Sequence, residues 1–297
     1  MTDYTNVSAR AMLVSLHVST WAARKFDKAA TSEVNAKNKA SAKAGRYNKH
    51  LLAGAPEHEA LISACEAARE LHYSQTLPWS DKGSRLLPTA NFMEYTKVMR
   101  KQFGIMDARL AEFVDHYPAL VDAAEKHHTA LGELFNRAEY PKATDIARRF
   151  SWSLSFDAVP SGDIRVDLPA DQLEAISADV SRRAEEATRD AMNGAWERLH
   201  EAVARIHKAT DGDGIVRSTL IDNARNVCDT LARLNVAGDD RLETMRQRVE
   251  KELAQLDLED LKKKGGAVRA DTAKKAKKIM DAMSAFYAPP AKDTEAA

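Results

Sequence analysis

The chain has 297 residues, of which 44% are apolar and 30% charged, and its 44 basic residues balance 44 acidic ones. That balance gives no global electrostatic case for binding nucleic acid or an anionic membrane, although a local basic patch is compatible with it. No apolar run reaches the ~18 residues that a membrane helix needs, and we expect no signal segment at the start.

The first predicted element is a strand. Residues 14–21 alternate between apolar or β-branched and polar side chains, which predicts a half-buried β-strand, with a helix as the alternative because alanines flank it. The following stretch, residues 22–50, is rich in lysine, alanine and asparagine and has only a thin apolar stripe. We expect it to be an exposed helix or a connector.

Two long helices are predicted next. Pro56 suits the first turn of a helix, and the apolar periodicity continues from it to about Gln75. A second apolar seam, from Phe92 through Tyr117, predicts a longer helix that Pro118 either kinks or divides into two collinear helices. We expect the two helices to form an antiparallel hairpin.

The loop predicted between these helices, residues 76–88 (TLPWSDKGSRLLP), holds the first candidate binding residues. Trp79 is a candidate aromatic anchor for a partner protein, with Asp81 and Arg85 as its polar rim. In the structural alternative, which we favour, Trp79 closes the end of the helical hairpin while Asp81 and Arg85 cap the loop. Trp21, at the end of the first predicted strand, is a further candidate partner-binding residue.

A second change of period predicts a β-hairpin. Residues 150–156 and 163–168 each alternate apolar and polar side chains, and the turn sequence VPSG lies between them at 159–162. An isolated hairpin is only marginally stable in water. We therefore expect the strand at 14–21 to join it in a three-stranded antiparallel sheet.

The second half of the chain is predicted to be helical. Its first helix should be long and nearly straight, and it should end at the DGDG sequence, residues 211–214. Three further helices are predicted to end near Gly238, before Gly265 and near Tyr287. Their apolar seams are narrow, which suits a coiled-coil bundle or self-association. The seam of the long helix consists of Leu173, Ile176, Val180, Ala184, Ala187, Ala191, Ala195, Leu199, Val203 and Ile206.

These elements give the expected fold class and domains. The fold class is α+β and mainly α, with long antiparallel helices, a coiled-coil-like bundle and one small three-stranded antiparallel sheet. Residues 1–170 are expected to form the helical hairpin with the sheet, and residues 171–288 an elongated helical bundle. Residues 289–297 are expected to be a disordered tail.

The sequence assigns no catalytic residue, cofactor or metal. The DGDG sequence is similar to a calcium loop, but its twelfth position is Asp222 rather than glutamate, so a helix break is the better interpretation. The histidines lack metal-ligand spacing, and no phosphate-binding glycine motif occurs. Cys65 and Cys228 lie on separate predicted helices without a CxxC motif, so we expect buried thiols and a cytoplasmic location.

Two stretches rich in basic residues are candidates for nucleic-acid binding. Either could contact phosphate groups, but such a run is usually the solvated face of a helix. The stretch near the end of the chain consists of Lys262, Lys263, Lys264, Arg269, Lys274, Lys275, Lys277 and Lys278. The earlier stretch consists of Arg24, Lys25, Lys28, Lys37, Lys39, Lys43, Arg46 and Lys49.

Three ordered motifs carry a family resemblance. They are STWAARKFDKAATSEV at 19–34, LPWSDKGSRLLP at 77–88, and RRF followed by VPSGDIRVDL within 148–168. Over about residues 12–170 the chain resembles a family of uncharacterised proteins of tailed phages, prophages and other bacterial elements. The resemblance implies genes for a MoxR-type AAA ATPase and a von Willebrand factor A-domain protein, similar to a cobaltochelatase subunit, nearby. It therefore implies a role beside such a remodelling machine, and it implies no catalytic residues.

The leading functional hypothesis is a non-enzymatic, oligomerising or adaptor protein of a phage or mobile element. It would act in the cytoplasm of the infected or prophage-carrying bacterium, as a homo-oligomer and with an AAA ATPase or the von Willebrand factor A-domain protein as partner, without a membrane or a cofactor. The alternative is a nucleic-acid-binding protein that uses its lysine-rich helices. An unrecognised enzyme is the third hypothesis, and a deep pocket that gathers histidines and carboxylates would reveal it.

Overall fold

The computed structural model describes residues 7–80, 83–126, 131, 134–161, 169–212 and 214–287. Helices dominate these residues, and two small antiparallel sheets accompany them, so the fold is α+β and mainly α, as predicted. Within the same ranges, no helix has the length and apolar character required to cross a membrane.

The described strands form two sheets. One sheet has four strands in the order β4-β5-β1-β6, and in the other β2 pairs with β3. In the larger sheet β1 and β5 are antiparallel, with Ala11 opposite Pro88 and Val14 opposite Arg85. The strands are β1 (Ala11–Ser19), β2 (Arg24–Phe26), β3 (Asn48–His50), β4 (Leu77–Pro78), β5 (Arg85–Pro88) and β6 (Ser151–Ala158).

The larger sheet corrects the three-stranded sheet that the sequence predicts. β1 and β6 confirm the strands expected at 14–21 and 150–156, whereas the strand expected at 163–168 lies outside the described residues. In this sheet the strands that the sequence does not predict are β4 and β5, within the supposed loop 76–88. The strands of the smaller sheet, β2 and β3, are also not predicted, since they lie in the stretch 22–50 expected to be a helix or a connector. Strands of two and four residues are too short to show an alternation of apolar and polar side chains.

The predicted long helices are confirmed. α2 begins at Pro56, α3 continues through Pro118 as one helix, and α5 has 41 residues, a length of about 60 Å. The lysine-rich stretch after β1 contains a true helix, α1. The described helices are α1 (Lys28–Lys37), α2 (Pro56–Ser74), α3 (Phe92–Lys126), α4 (Ala143–Ile146), α5 (Ala170–Thr210), α6 (Thr219–Leu234), α7 (Asp240–Glu252), α8 (Leu258–Lys262) and α9 (Ala267–Met283).

The chain forms two compact units, each assembled from separated segments. Unit 1 comprises Met1–Ser15, Tyr73–Tyr95 and Phe156–Ala297, and unit 2 comprises Leu16–His72 and Thr96–Ser155. The domains that the sequence predicts, 1–170 and 171–288, are each one continuous segment, whereas each of these units combines segments that are far apart in the chain. The tail expected at 289–297 lies outside the described residues.

The core of unit 1 is built on the C-terminal half of α5. The apolar seam from Ala191 to Ile206 is buried in one cluster with residues of α6, α7 and α9. Leu77 and Leu86 belong to the same cluster. The indole N–H of Trp196 donates to the buried carboxylate of Asp239 at 3.2 Å, and this carboxylate also caps the N-terminus of α7.

Arg269 of α9 holds the chain where α5 ends. Its side chain is buried, and the residue is 3% exposed. Carbonyl groups at the end of a helix lack partners within the helix and carry partial negative charge, so a buried guanidinium satisfies and stabilises them. The DGDG sequence is thus a helix break, as predicted, although Asp213 lies outside the described residues. The carbonyl oxygens that accept from Arg269 belong to Ala209, Thr210, Gly212, Gly214 and Leu261.

In unit 2, α2 and α3 confirm the predicted antiparallel hairpin. The side-chain amide of Gln102 donates to the carbonyl of Ala64 at 2.8 Å. One end of the pair is marked by His116, whose Nδ1 lies 3.6 Å from a carboxylate oxygen of Glu57. Because higher residue numbers on α3 lie beside lower ones on α2, the helices run in opposite directions.

Candidate functional site

The segment 77–88, which carries most of the candidate partner-binding residues, folds as a short β-hairpin packed on α5. Pro78 pairs with Arg85 across the hairpin. It also lies against Gly194 of α5, where an added Cβ atom would stand 3.2 Å from the proline Cδ and Cγ. Glycine inside a helix costs about 1 kcal/mol relative to alanine, and the close approach of the hairpin explains its presence.

Trp79 and Arg85 make internal contacts in this hairpin. Trp79 is half-buried and packs against the core of unit 1. The Nε of Arg85 donates to the hydroxyl of Thr76 at 2.7 Å, and its guanidinium carbon lies 4.6 Å from the centre of the Tyr73 ring. The contacts of Arg85 are internal to the segment, as the structural alternative predicts, whereas the contact of Trp79 is with the core of unit 1 and its closure of the α2–α3 hairpin stays a prediction. Asp81 lies outside the described residues, and a partner-binding role for these side chains stays a prediction.

Arg198 of α5 reaches the same segment. Its Nη1 donates to the carbonyl of Ser74 at 3.0 Å. Its Nη2 donates to the carbonyls of Tyr73 at 2.8 Å and Thr76 at 2.6 Å. The Thr76 carbonyl also accepts from Nη2 of Arg85 at 3.2 Å. Two guanidinium groups therefore converge on the carbonyls where the α2 helix ends, which carry partial negative charge.

The two arginines are fixed donors rather than proton-transfer groups. The pKa of Arg198 is lowered to about 10, chiefly by burial and then by the adjacent positive charge of Arg85, while Glu197 opposes the shift. Burial also lowers the pKa of Arg85. With a pKa of about 10, Arg198 is still charged near neutral pH. It therefore orients the hairpin on α5 and supplies no general base.

An open groove lies beside the hairpin in unit 1. Its volume is about 480 Å³. Asp190 and Glu197 are its carboxylates, and seven residues of helix place them about 10 Å apart, which is too far for one to assist the other directly. Within its described lining there is no histidine, cysteine, serine or lysine to act as a nucleophile or base. The lining residues are Pro78, Asp190, Asn193, Gly194, Glu197, Phe286 and Tyr287.

Trp21, the remaining candidate partner-binding residue, packs inside unit 2. Its ring meets those of His58 and Tyr117 edge-on, each with ring centres 6.0 Å apart. The Nε2 of His58 lies 2.9 Å from the Trp21 carbonyl, so this nitrogen carries the donated proton. The hydroxyl of Tyr117 donates to the carbonyl of Pro141 at 2.9 Å, and burial raises its pKa to about 12. This cluster has the contacts of a packed core.

Neighbouring carboxylates offset part of the positive charge of the lysines near the end of the chain. Lys262, Lys263 and Lys275 form ion pairs of 2.7 to 2.8 Å with acidic residues that precede them by three or four positions. Lys274, Lys277 and Lys278 are exposed on α9, Lys264 follows α8, and Arg269 is buried. The positive field of this stretch is therefore weaker than its lysine count indicates.

The earlier basic stretch divides into one buried lysine and seven exposed cations. Lys49 is 4% exposed, and its Nζ lies 3.0 Å from Asp27 and 2.8 Å from Glu139. It also donates to the carbonyl of Leu134 at 2.8 Å. Burial by itself would lower the pKa of Lys49, but the hydrogen bonds that it donates to the two carboxylates, together with their negative charges, outweigh burial and raise it. Lys49 is thus a structural cation of unit 2.

The thiols and histidines form no reactive centre in the described part of the chain. No group of three or more histidine, cysteine or acidic side chains that could hold a metal ion occurs there. Cys65 and Cys228 are fully buried, as predicted. Burial raises the pKa of both thiols, that of Cys228 to about 11, so the reactive thiolate is disfavoured.

Sequence patterns miss three residues that organise these sites. Gly194 leaves a usable signal, because an isolated glycine within a helical pattern often marks a close approach of another segment. Arg198 and Lys49 have no such signal in the sequence. Each is one charged residue among many in its stretch, and only long-range contacts show that it is internal.

No family model, curated protein or solved structure matches the chain.

Proposed function

We propose that the protein is a non-enzymatic, self-associating scaffold or adaptor, and that two copies meet on the first half of α5. One observation carries the proposal. From Ala191 onward, the seam of α5 is buried in unit 1, but within the described stretch from Leu173 to Ala187 every seam residue is partly or fully exposed. Ile176, in the middle of this stretch, is 41% exposed. An apolar seam that the described residues leave uncovered is suited to another helix.

The charges beside the seam favour a second copy in antiparallel orientation. Arg183 and Asp179 lie on the same flank and pair within the helix at 2.9 Å. In an antiparallel pairing centred on Val180, Arg183 of one copy lies opposite position 177 of the other, about 3 Å along the helix from Asp179. Arg183 can therefore pair with Asp179 of the second copy. A parallel pairing would place Arg183 against the opposite flank, which carries serines.

The length of the exposed seam determines how strongly two copies are expected to associate. Leu173 to Ala187 spans about 21 Å of helix. That length buries less than the roughly 800 Å² per partner of a standard stable interface. We therefore propose a dimer that forms with rising concentration and that a further partner reinforces. From the family resemblance, the proposed further partner is an AAA ATPase.

The solution mass, measured by light scattering at a low and a high protein concentration, tests the proposal. We expect the wild type to move from monomer toward dimer, and Val180→Lys to remain a monomer at both. The matched control is Ala178→Lys, since Ala178 is exposed on the opposite face of the same helix. A wild type that is monomeric at both concentrations overturns the proposal, as does a control variant that dissociates as readily as Val180→Lys. Capture of the AAA ATPase by wild type but not by Val180→Lys would support the adaptor role.

A further inference from the structure

We infer that unit 2 carries a binding surface for single-stranded nucleic acid, formed by β2, β3 and the start of α1. The whole chain has no net charge, yet residues 24–50 hold seven exposed cations and a single exposed carboxylate, Glu33. The segment's other carboxylate, Asp27, is engaged internally by Lys49. The remaining positive charge is therefore free to meet phosphate groups.

The strand register places stacking and charged side chains on one face. β2 and β3 are antiparallel, with Arg24 opposite His50 and Phe26 opposite Asn48. Side chains alternate between the two faces of a strand, so Arg24, Phe26 and His50 share a face, opposite to that of the buried Lys49. All three residues are exposed. This face combines a ring with cations, which is the arrangement that binds bases and phosphates of a single strand.

Two exposed aromatic rings accompany the cations. Phe26 is 38% exposed and Tyr47 is 40% exposed. The guanidinium carbon of Arg46 lies 4.7 Å from the centre of the Phe26 ring, so a cation already stacks on one face of this ring. The lysine-rich stretch of α8 and α9 has neither feature, because its ion pairs offset three of its lysines and it contains no aromatic residue.

The backbone beneath this surface is fixed by hydrogen bonds. The N–H of Asp27 donates to the carbonyl of Tyr47 at 3.0 Å, and the N–H of Tyr47 donates to the hydroxyl of Thr31 at 2.9 Å. The buried Lys49, between two carboxylates, anchors the sheet from below. The rings and cations are therefore held in place before a ligand arrives, which lowers the entropy cost of binding.

An anionic membrane is the main competing ligand, and the geometry favours it less. Insertion into a membrane requires a continuous apolar face. On α1 the only large exposed apolar side chain is Val34, and the Phe26 ring is covered on one side by Arg46. Stacking with a base uses a ring face and needs no such apolar area.

Fluorescence anisotropy of a labelled single-stranded oligonucleotide, titrated at several salt concentrations, tests the inference. We expect binding at low salt that weakens steeply as salt rises. Phe26→Ala should weaken it about ten-fold, because one stacked ring is lost. Arg24→Gln combined with Lys28→Gln should weaken it and reduce the slope of log affinity against log salt by about 1.4, roughly 0.7 for each cation removed.

The matched control removes the same charge elsewhere. Lys277→Gln combined with Lys278→Gln, on the exposed face of α9, should leave the affinity within about two-fold and the salt slope unchanged if the sheet of unit 2 holds the phosphates. Circular dichroism confirms that the exposed substitutions leave the fold intact. The inference is overturned by absent binding at low salt, by a larger effect of the α9 variant, by tighter binding to a duplex of equal length, or by binding only to vesicles that contain phosphatidylserine.

Discussion

Replacing Arg269 by methionine removes the five hydrogen bonds that this buried side chain donates to carbonyl oxygens. Methionine keeps much of the apolar stem and removes every donor. Two of the lost bonds, to Ala209 and Gly212, are 3.0 Å long, and a third, to Gly214, is shorter. Two more, to Thr210 and Leu261, are 3.3 and 3.4 Å long and weaker.

The expected loss follows from these contacts. A hydrogen bond to a charged group contributes about 1.5–3 kcal/mol, and a buried carbonyl left without a donor adds its desolvation cost. Gly212 is exposed and can accept from water instead. Counting about two effective bonds, we expect Arg269→Met to lower the free energy of unfolding by about 3–6 kcal/mol.

Urea denaturation followed by far-ultraviolet circular dichroism measures the change. The midpoint should fall while the slope with urea stays constant, since the surface exposed on unfolding is unchanged. Arg217→Met is the control, because Arg217 is exposed near the same helix break and should shift stability by less than about 0.5 kcal/mol. If Arg269→Met unfolds at the wild-type midpoint, the carbonyl cluster does not stabilise the end of α5 and the reasoning is refuted.

Three further predictions concern other parts of the fold. Gly104→Ala, in open space on α3, should raise the free energy of unfolding by about 0.5–1 kcal/mol, whereas Gly194→Ala should raise it less because the new Cβ crowds the hairpin; equal gains in urea denaturation would contradict this packing. Lys49→Met should destabilise the protein most near neutral pH. The pKa of Asp27 is lowered, chiefly by the Ala30 N–H and then by Lys49. The stability that this carboxylate contributes is therefore lost as the pH falls and Asp27 takes up a proton. The difference in urea midpoint between variant and wild type should narrow on acidification. Both buried thiols should react with a thiol reagent only after unfolding in guanidinium, and rapid modification of the native protein would show that one of them is accessible.

The helices could be predicted because their signal is local and repeated. α2, α3 and the long α5 follow from apolar residues three and four positions apart. The seam of α5 also shows the limit of that signal. It has the same spacing before and after Ala191, yet only the second part is buried within the chain. The periodicity of apolar residues identifies which face of the helix packs against another element, but it does not identify that element.

The small strands and the internal cations could not be predicted, for two physical reasons. β4 and β5 are too short to alternate, and β5 is stabilised by pairing with β1, more than 70 residues earlier. The choice of Lys49 over its seven exposed neighbours depends on Asp27 and Glu139, and one of these is about 90 residues away. Among the candidate site residues, Trp21 and Trp79 were identifiable as unusual, but whether such a ring is packed or exposed depends on contacts of this long-range kind.

The arrangement of the two units has a consequence for the order in which the chain acquires its structure during synthesis. Unit 2 is complete once Ser155 has left the ribosome, whereas the first segment of unit 1, which ends at Ser15, must wait for the segment that begins at Phe156. Some 140 residues separate these points, a delay on the order of ten seconds at 5–20 residues per second. During that interval β1 has already been made, but most of the unit 1 core, on which the first residues of β1 pack, has not been made. We therefore expect a chaperone to contact β1 while the rest of the chain is being made. A truncated chain that stops near residue 155 should keep this contact, because the segment that begins at Phe156 is never made.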